Sequence, residues 1–266
     1  MDQFFEIINT YGTAMFLGVL IFSFIAGFID AVVGGGGLVI VPYLLISYSS
    51  LPLATLFGTN KIAALSGTTI SAYSYSKRVE FNLPLLAITS FVALISSFSG
   101  AMLLSHLDSE SLKPFILIVL VLIGIYTFVK KDFGQFKSKT VSQTKQFIYA
   151  TLLGLIIGFY DGFFGPGTGS FLVLGFVLLL GFDFLHASAY SKVINCVTNI
   201  AALFVFVKNG NFIIVMALLM SVFNLTGSII GTRMAIKKGN RFIRKVFLFV
   251  VCLMIAKYGY DLFLNK

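Results

Sequence analysis

The chain has 266 residues, of which 58% are hydrophobic and 11% charged, and its mean hydropathy is +0.98. A soluble domain carries about 25% charged residues, so this composition excludes a wetted globular surface and makes a bilayer the natural solvent. The net charge of +9 points to no nucleic acid, because the lysines and arginines sit in short loops between apolar runs, where they read as topological retention signals.

In chain order the apolar runs are 12–33, 38–50, 52–76, 83–105, 112–129, 147–164, 169–181, 184–207, 212–235 and 246–264. Asp2 and Glu6 precede the first run, where a cleaved signal would show positive charge, so the amino terminus is not read as one. Most runs can cross roughly 30 Å of hydrocarbon at about 1.5 Å per residue. Segments 38–50 and 169–181 cannot, and each follows a knot of glycines, "GGGG" at 34–37 and "GPGTG" at 165–169. Whether the two short segments span or re-enter is left open. The expected fold is an all-α polytopic membrane protein with eight to ten transmembrane or re-entrant helices.

Sliding the second half onto the first by 131 residues places Gly27, Phe28 and Asp30 on Gly158, Phe159 and Asp161. Lys61 falls on Lys192, Lys77 on Lys208, Phe81 on Phe212 and Gly100 on Gly231 without a gap. Rare charged residues matching at one fixed offset imply a tandem duplication, an organisation found in secondary transporters. The expected organisation is one membrane domain, with repeat 1 over 12–131 and repeat 2 over 146–264 joined by a cytoplasmic loop. Loops 130–145 and 237–245 each hold five basic residues, and Lys77–Arg78 adds two. Placing these loops in the cytoplasm puts both termini outside and makes the repeats inverted, with helices broken at the glycine motifs.

A break at bilayer depth frees backbone N–H groups at the start of the helix that follows, and such groups bind anions. The plainer reading is a packing notch where helices approach closely. The paired occurrence favours a substrate site, with Gly35, Gly36 and Gly37 in the first half and Gly167, Thr168, Gly169 and Ser170 in the second. Asp30 and Asp161 lie four residues before their knots. Intramembrane carboxylates are costly and usually functional. They read as sites for a coupling proton or sodium ion, or as structural carboxylates that accept hydrogen bonds from the broken turn or pair with a lysine of the other repeat. Lys61 and Lys192 lie too deep to snorkel easily and are surrounded by small polar residues. Thr59, Asn60, Ser66, Thr68 and Thr69 accompany the first, and Ser188, Ser191, Asn195, Thr198 and Asn199 accompany the second. These groups could be helix-to-helix glue. Two cations among donors make an anion cavity the stronger reading.

Cys196 and Cys252 lie inside apolar runs without a CxxC and read as inert thiols. His106 and His186 are isolated and lack metal-ligand spacing; Arg233 reads as snorkelling, and Lys257 and Asp261 as an i,i+4 pair. The glycine motifs follow no β-strand and are no dinucleotide fingerprint. No metal, cofactor or catalytic constellation is expected.

"GFIDAVVGGGGLVIVPYLL", "GTNKIAALSGTTIS", "GFYDGFFGPGTGSF" and "AYSKVINCVTNIAAL" together resemble the TauE/SafE family of sulfite exporters, also called the toluene sulfonate uptake permease family. The likeness covers nearly the whole chain and is greatest to the YfcA-like branch of bacterial inner-membrane proteins. It implies a carrier of sulfur-containing anions such as sulfite, thiosulfate or sulfonates, without choosing among them or fixing the direction of transport. It carries over the glycine knots with Asp30 and Asp161, Thr59-Asn60-Lys61 and Ser191-Lys192. In the second repeat GGGG becomes GPGTG and TNK becomes YSK, so the half-sites are not strictly equivalent. The expected partners are the lipid bilayer, a small anionic substrate and a coupling proton or sodium ion. The alternatives are a passive anion-selective channel and, further off, a membrane enzyme.

Overall fold

A computed structural model describes residues 9–107 and 141–264, and among the described residues the regular structure is entirely helical. The helices are α1 (Thr13–Val33), α2 (Gly37–Ser47), α3 (Leu53–Ser76), α4 (Leu83–His106), α5 (Gln143–Phe163), α6 (Thr168–Leu180), α7 (Phe184–Lys208) and α8 (Ile214–Leu264). The chain is an all-α polytopic membrane protein. The predicted run 112–129 and most of loop 130–145 lie outside the described residues, as do the side chains of Cys252, Lys257 and Asp261.

Local sequence sets most of the boundaries. Asn82 caps α4 by accepting from the Leu85 amide at 3.3 Å, and Pro84 sits in the first turn, where its missing N–H costs nothing. Asp183 caps α7 through the amides of Leu185 and His186 at 2.9 and 3.0 Å. The same carboxylate holds the His186 imidazole at 2.5 Å, so His186 belongs to a helix cap. The basic stretch 237–245, expected as a loop, is helical on both sides of one interruption at Gly239 (φ 64°, ψ −161°). A glycine in the left-handed region breaks a helix locally, and nothing else in that stretch stops it.

Five described helices are long and apolar enough to cross a membrane: α1, α4, α5, α7 and the first arm of α8, Ile214–Gly239. Their lipid-facing sides carry exposed residues such as Phe91, Ile95, Ile156, Phe204 and Val222. α3 has 24 residues but turns Thr59, Asn60, Lys61, Thr68 and Ser71 inward, so its polar stripe is protein-facing. α2 and α6, with 11 and 13 residues, extend only about 16–20 Å and are too short to cross alone.

Helix pairs approach through glycines, as expected where lipid supplies no hydrophobic drive between helices. In α1 against α8, a Cβ at Gly27 would collide with the Asn224 carbonyl, and one at Gly231 with the Phe28 carbonyl. In α4 against α5, Gly158 abuts Ala93 and Gly162 abuts the Ser97 carbonyl. Positions 131 apart also recur at the joints. The Ile213 amide donates to Thr59 Oγ1 at 3.0 Å, and at the equivalent place the Asn82 amide donates to the Tyr190 hydroxyl at 2.6 Å.

Gly162→Val should force α4 from α5, because its added carbons have only the Ser97 backbone to meet. Overpacking of this kind costs about 1–3 kcal/mol. The apparent melting temperature of detergent-purified protein, followed by fluorescence-detected size exclusion, should fall by several degrees, whereas that of Ile156→Val, on the exposed lipid-facing side of α5, should fall far less.

Candidate functional site

α1 ends because Gly34 adopts φ 79°, with its amide turned back onto the Asp30 carbonyl at 2.8 Å. α5 ends differently. The amides of Phe164 and Gly165 both reach the Tyr160 carbonyl, at 2.8 and 3.1 Å, and Gly165 and Gly167 take φ of 91° and 85°. The Tyr160 hydroxyl then donates to the Pro166 carbonyl at 2.5 Å, and Thr168 Oγ1 to the Gly165 carbonyl at 2.7 Å.

The two breaks touch. The Ser170 amide donates to the Gly34 carbonyl at 3.1 Å and Ser170 Oγ to the Val33 carbonyl at 3.0 Å. Gly34 and Gly169 lie backbone to backbone, so a Cβ on either would overlap the other. Among the described residues, the amides of Gly36, Gly37 and Gly169 have no backbone acceptor. They are the free N–H groups that a broken helix leaves.

Two ion pairs cross between the halves. Lys61 Nζ, from α3, reaches Asp161 Oδ2 on α5 at 3.0 Å; Lys192 Nζ, from α7, reaches Asp30 Oδ2 on α1 at 2.8 Å. Each pair has a third member at equivalent positions: Asn199 Oδ1 accepts from Lys61 at 3.0 Å, and Thr68 Oγ1 donates to Asp30 Oδ2 at 3.2 Å. A charge at such depth needs a partner and further hydrogen bonds to be tolerable, and each of these four charges has its opposite. Both lysines are therefore neutralised in place.

Around the breaks lies a cavity of about 50 Å³ lined by Asp30, Gly34, Gly36, Gly37, Asn60, Lys61, Thr68, Asp161, Gly165, Pro166, Gly167, Gly169, Asn195, Asn199 and Asn224, with Phe57, Phe164 and aliphatic residues. A single water needs about 10–15 Å³ on this scale, so the space suits several waters or one small polyatomic ion. The structure thus gathers Asp30, Asp161, Gly36, Gly37, Asn60, Lys61, Gly167, Gly169 and Asn195 from the predicted set. Gly35, Thr59, Thr168, Ser170, Ser191 and Lys192 are outside the lining. The hydroxyls are committed to the frame: Thr59 to the Thr55 carbonyl, Ser191 to the Gly169 carbonyl, Thr168 and Ser170 to the breaks. Lys192 is 0% exposed, behind Asp30. Sequence reasoning missed Asn224; its signal is that it is the single carboxamide of run 212–235. Cys196 is partly buried and lies 3.8 Å from Thr69 Oγ1.

Residues 19–258 match the family model described as "Sulfite exporter TauE/SafE". The chain is 33% identical over 248 residues to the probable membrane transporter protein YfcA of Escherichia coli (strain K12), covering 93% of this chain and 91% of that one. It is 37% identical over 228 residues to the probable membrane transporter protein ORF9 of Sinorhizobium sp., 86% of each. To a probable membrane transporter protein of Haemophilus influenzae it is 32% identical over 239 residues, 90% of this chain and 92% of the relative. No solved structure matches. The chain belongs to the TauE/SafE family, a family of membrane transporters.

Lys192→Met should destabilise the protein by about 3–5 kcal/mol, the cost of a buried charge without its partner. Adding Asp30→Leu should restore much of the loss, because replacing both members removes the stranded charge. Thermal unfolding of the single and double variants in one detergent measures this; a double variant less stable than Lys192→Met would remove the pairing account.

Proposed function

We propose that the chain is a secondary transporter that moves small sulfur-containing anions, of the sulfite, thiosulfate or organosulfonate class, by alternating access. The observation that carries this reading is the cavity at the meeting point of the two helix breaks. It offers the unbonded amides of Gly36, Gly37 and Gly169 with the carboxamides of Asn60 and Asn195, in a space that suits a small polyatomic ion. Helix N-termini and preorganised N–H donors favour negative charge. The matched family description names sulfite export, which supports sulfur oxyanions among the anions such donors would accept. The reading is transport rather than catalysis.

The same reading takes the two halves as inverted repeats. The crossed ion pairs and the shared joint at positions 59/190 and 82/213 support the duplication, and the basic loops support inversion. Their motion against each other about the contact between Gly34 and Gly169 would expose the cavity to either side. A bacterial inner-membrane location with both termini outside follows from the same loops. Inserting a reporter that fluoresces only in the cytoplasm at Gly239, in the basic stretch 237–245, should give signal, and fusion to the carboxyl terminus should not. Strong signal from both would overturn the orientation.

Of the two aspartates, Asp30 is the more open to the cavity, its side chain 15% exposed against 3% for Asp161. Asp30 is therefore the better placed to exchange a proton or sodium ion. In liposomes, labelled sulfite, thiosulfate, sulfate and taurine should be tested under imposed proton and sodium gradients. At least one should accumulate against its own gradient, in wild type only when an ion gradient is present. Asp30→Asn strands Lys192 and should lower stability, but the folded fraction should retain counterflow yet lose accumulation. Passive, gradient-independent flux in wild type would instead establish a channel, and accumulation by Asp30→Asn would move coupling elsewhere.

A further inference from the structure

We infer that Asn199 is a positioning residue: it turns the carboxamide of Asn195 so that a donor, not an acceptor, faces the cavity. The inference rests on the reading that the cavity receives an anion.

The reasoning begins at Lys61, whose ammonium can only donate. It stands 3.0 Å from Asp161 Oδ2 and 3.0 Å from an atom of Asn199. That atom has to be the carboxamide oxygen. An asparagine's oxygen and nitrogen are ordinarily assigned from their neighbours, and here a donor-only cation settles the choice. With its oxygen on Lys61, Asn199 directs Nδ2 onto Asn195 Oδ1 at 3.3 Å. Thr198 Oγ1 donates to the Asn195 backbone carbonyl at 3.1 Å and stands 3.5 Å from that oxygen. The oxygen of Asn195 thereby accepts from Asn199, and its Nδ2 has no hydrogen-bond partner among the described residues although the residue is only 6% exposed and lines the cavity. An N–H group without a protein partner in a residue that lines a polar cavity is satisfied only when water or a ligand accepts from it.

The helix supplies the spacing. Asn195 and Asn199 are four residues apart on α7, so their side chains stack on one face, and Lys61 enters from α3. The bonds run in one direction, from the ammonium through two carboxamides to the cavity, and bonds in such a chain polarise one another. The other half has no such relay. Thr68 stands at the position equivalent to Asn199 and bonds a carboxylate, while Ala64, equivalent to Asn195, has no polar group. The cavity therefore has a donor side at α7, and a bound oxyanion should direct an oxygen toward it.

The test is a double-mutant cycle with Asn195→Ala, Asn199→Ala and the pair, using sulfite and then sulfate as probes on detergent-purified protein. Affinity is read by calorimetry and by ligand-dependent melting shifts. Each single variant should weaken binding about tenfold, and the double variant should be no weaker than either single, because Asn199 acts through Asn195. Independent, multiplicative losses, or unchanged affinity in either single variant, would overturn the relay. Should the alanine variants not fold, Asn195→Asp keeps size and the acceptor for Asn199 while replacing the cavity donor with a carboxylate oxygen. It should abolish binding, and retained affinity would overturn the inference. If wild-type protein binds neither probe, nor thiosulfate nor taurine, the anion-cavity reading itself fails and this inference falls with it, an outcome distinct from any result of the cycle.

Discussion

A carboxylate and an ammonium withdrawn from water together cost far less than either withdrawn alone, and the architecture depends on that asymmetry. Asp30 sits on α1 beside the first glycine break, but its counter-charge, Lys192, comes from α7 in the other half; Asp161 and Lys61 repeat the arrangement. Neither half can bury its own charges unaided. The fully buried Lys192 and the nearly buried Asp161 are tolerable only when the halves are docked. The crossed pairs thus favour one relative placement of α1, α3, α5 and α7 over any in which the halves drift apart or slide by a turn.

The breaks add a second constraint that acts in the same place. Every backbone group at this depth has to find a partner or line a polar space. Ser170 closes part of the deficit by bonding the Gly34 and Val33 carbonyls across the interface. The glycines that carry the remaining amides line the cavity together with carboxamide residues from α3, α7 and α8. Small residues make this possible: the backbones at Gly34 and Gly169 approach closer than any Cβ would allow. Packing and site are therefore one arrangement, since the contact that joins the breaks also sets the donors around a shared volume.

Much of this was legible in the sequence because rare residues carry disproportionate information in an apolar chain. Two aspartates and two lysines matching at one offset located the heart of the molecule, and the glycine knots located the breaks. The pairing itself was one of several roles open to the aspartates. Which lysine meets which aspartate depends on how two halves dock, and no local pattern encodes that. The hydroxyls were harder still. Thr59, Thr168, Ser170 and Ser191 look like ligand donors by type, yet each bonds a nearby carbonyl, and only the fold decides between a carbonyl and a ligand. Asn224 went unnoticed because its equivalent is Ala93, and a search for matched pairs passes over what is unmatched. The 237–245 stretch misled because basic composition resembles a loop, whereas helix continuity is governed by backbone conformation, which fails there only at Gly239.

Charge neutrality of the site bears directly on the proposed cycle. An unpaired lysine about 4 Å from a monoanion at an effective dielectric near 20 would contribute about 4 kcal/mol, close to a thousandfold in affinity. Two such cations would hold an anion too firmly for a site that must also release it. With each lysine bound to its aspartate, attraction falls to N–H dipoles and the residual field, which suits binding that is reversible from both sides. The neutral site also makes the entering anion the uncompensated charge. A cation taken up with it, at the more accessible Asp30, would return the cavity to neutrality and lower the barrier to moving it through a low-dielectric interior. On this reading coupling needs no separate device: the aspartate that neutralises Lys192 in the empty state is the group whose proton or sodium ion travels with the anion, and Lys192 keeps the site neutral when neither is bound.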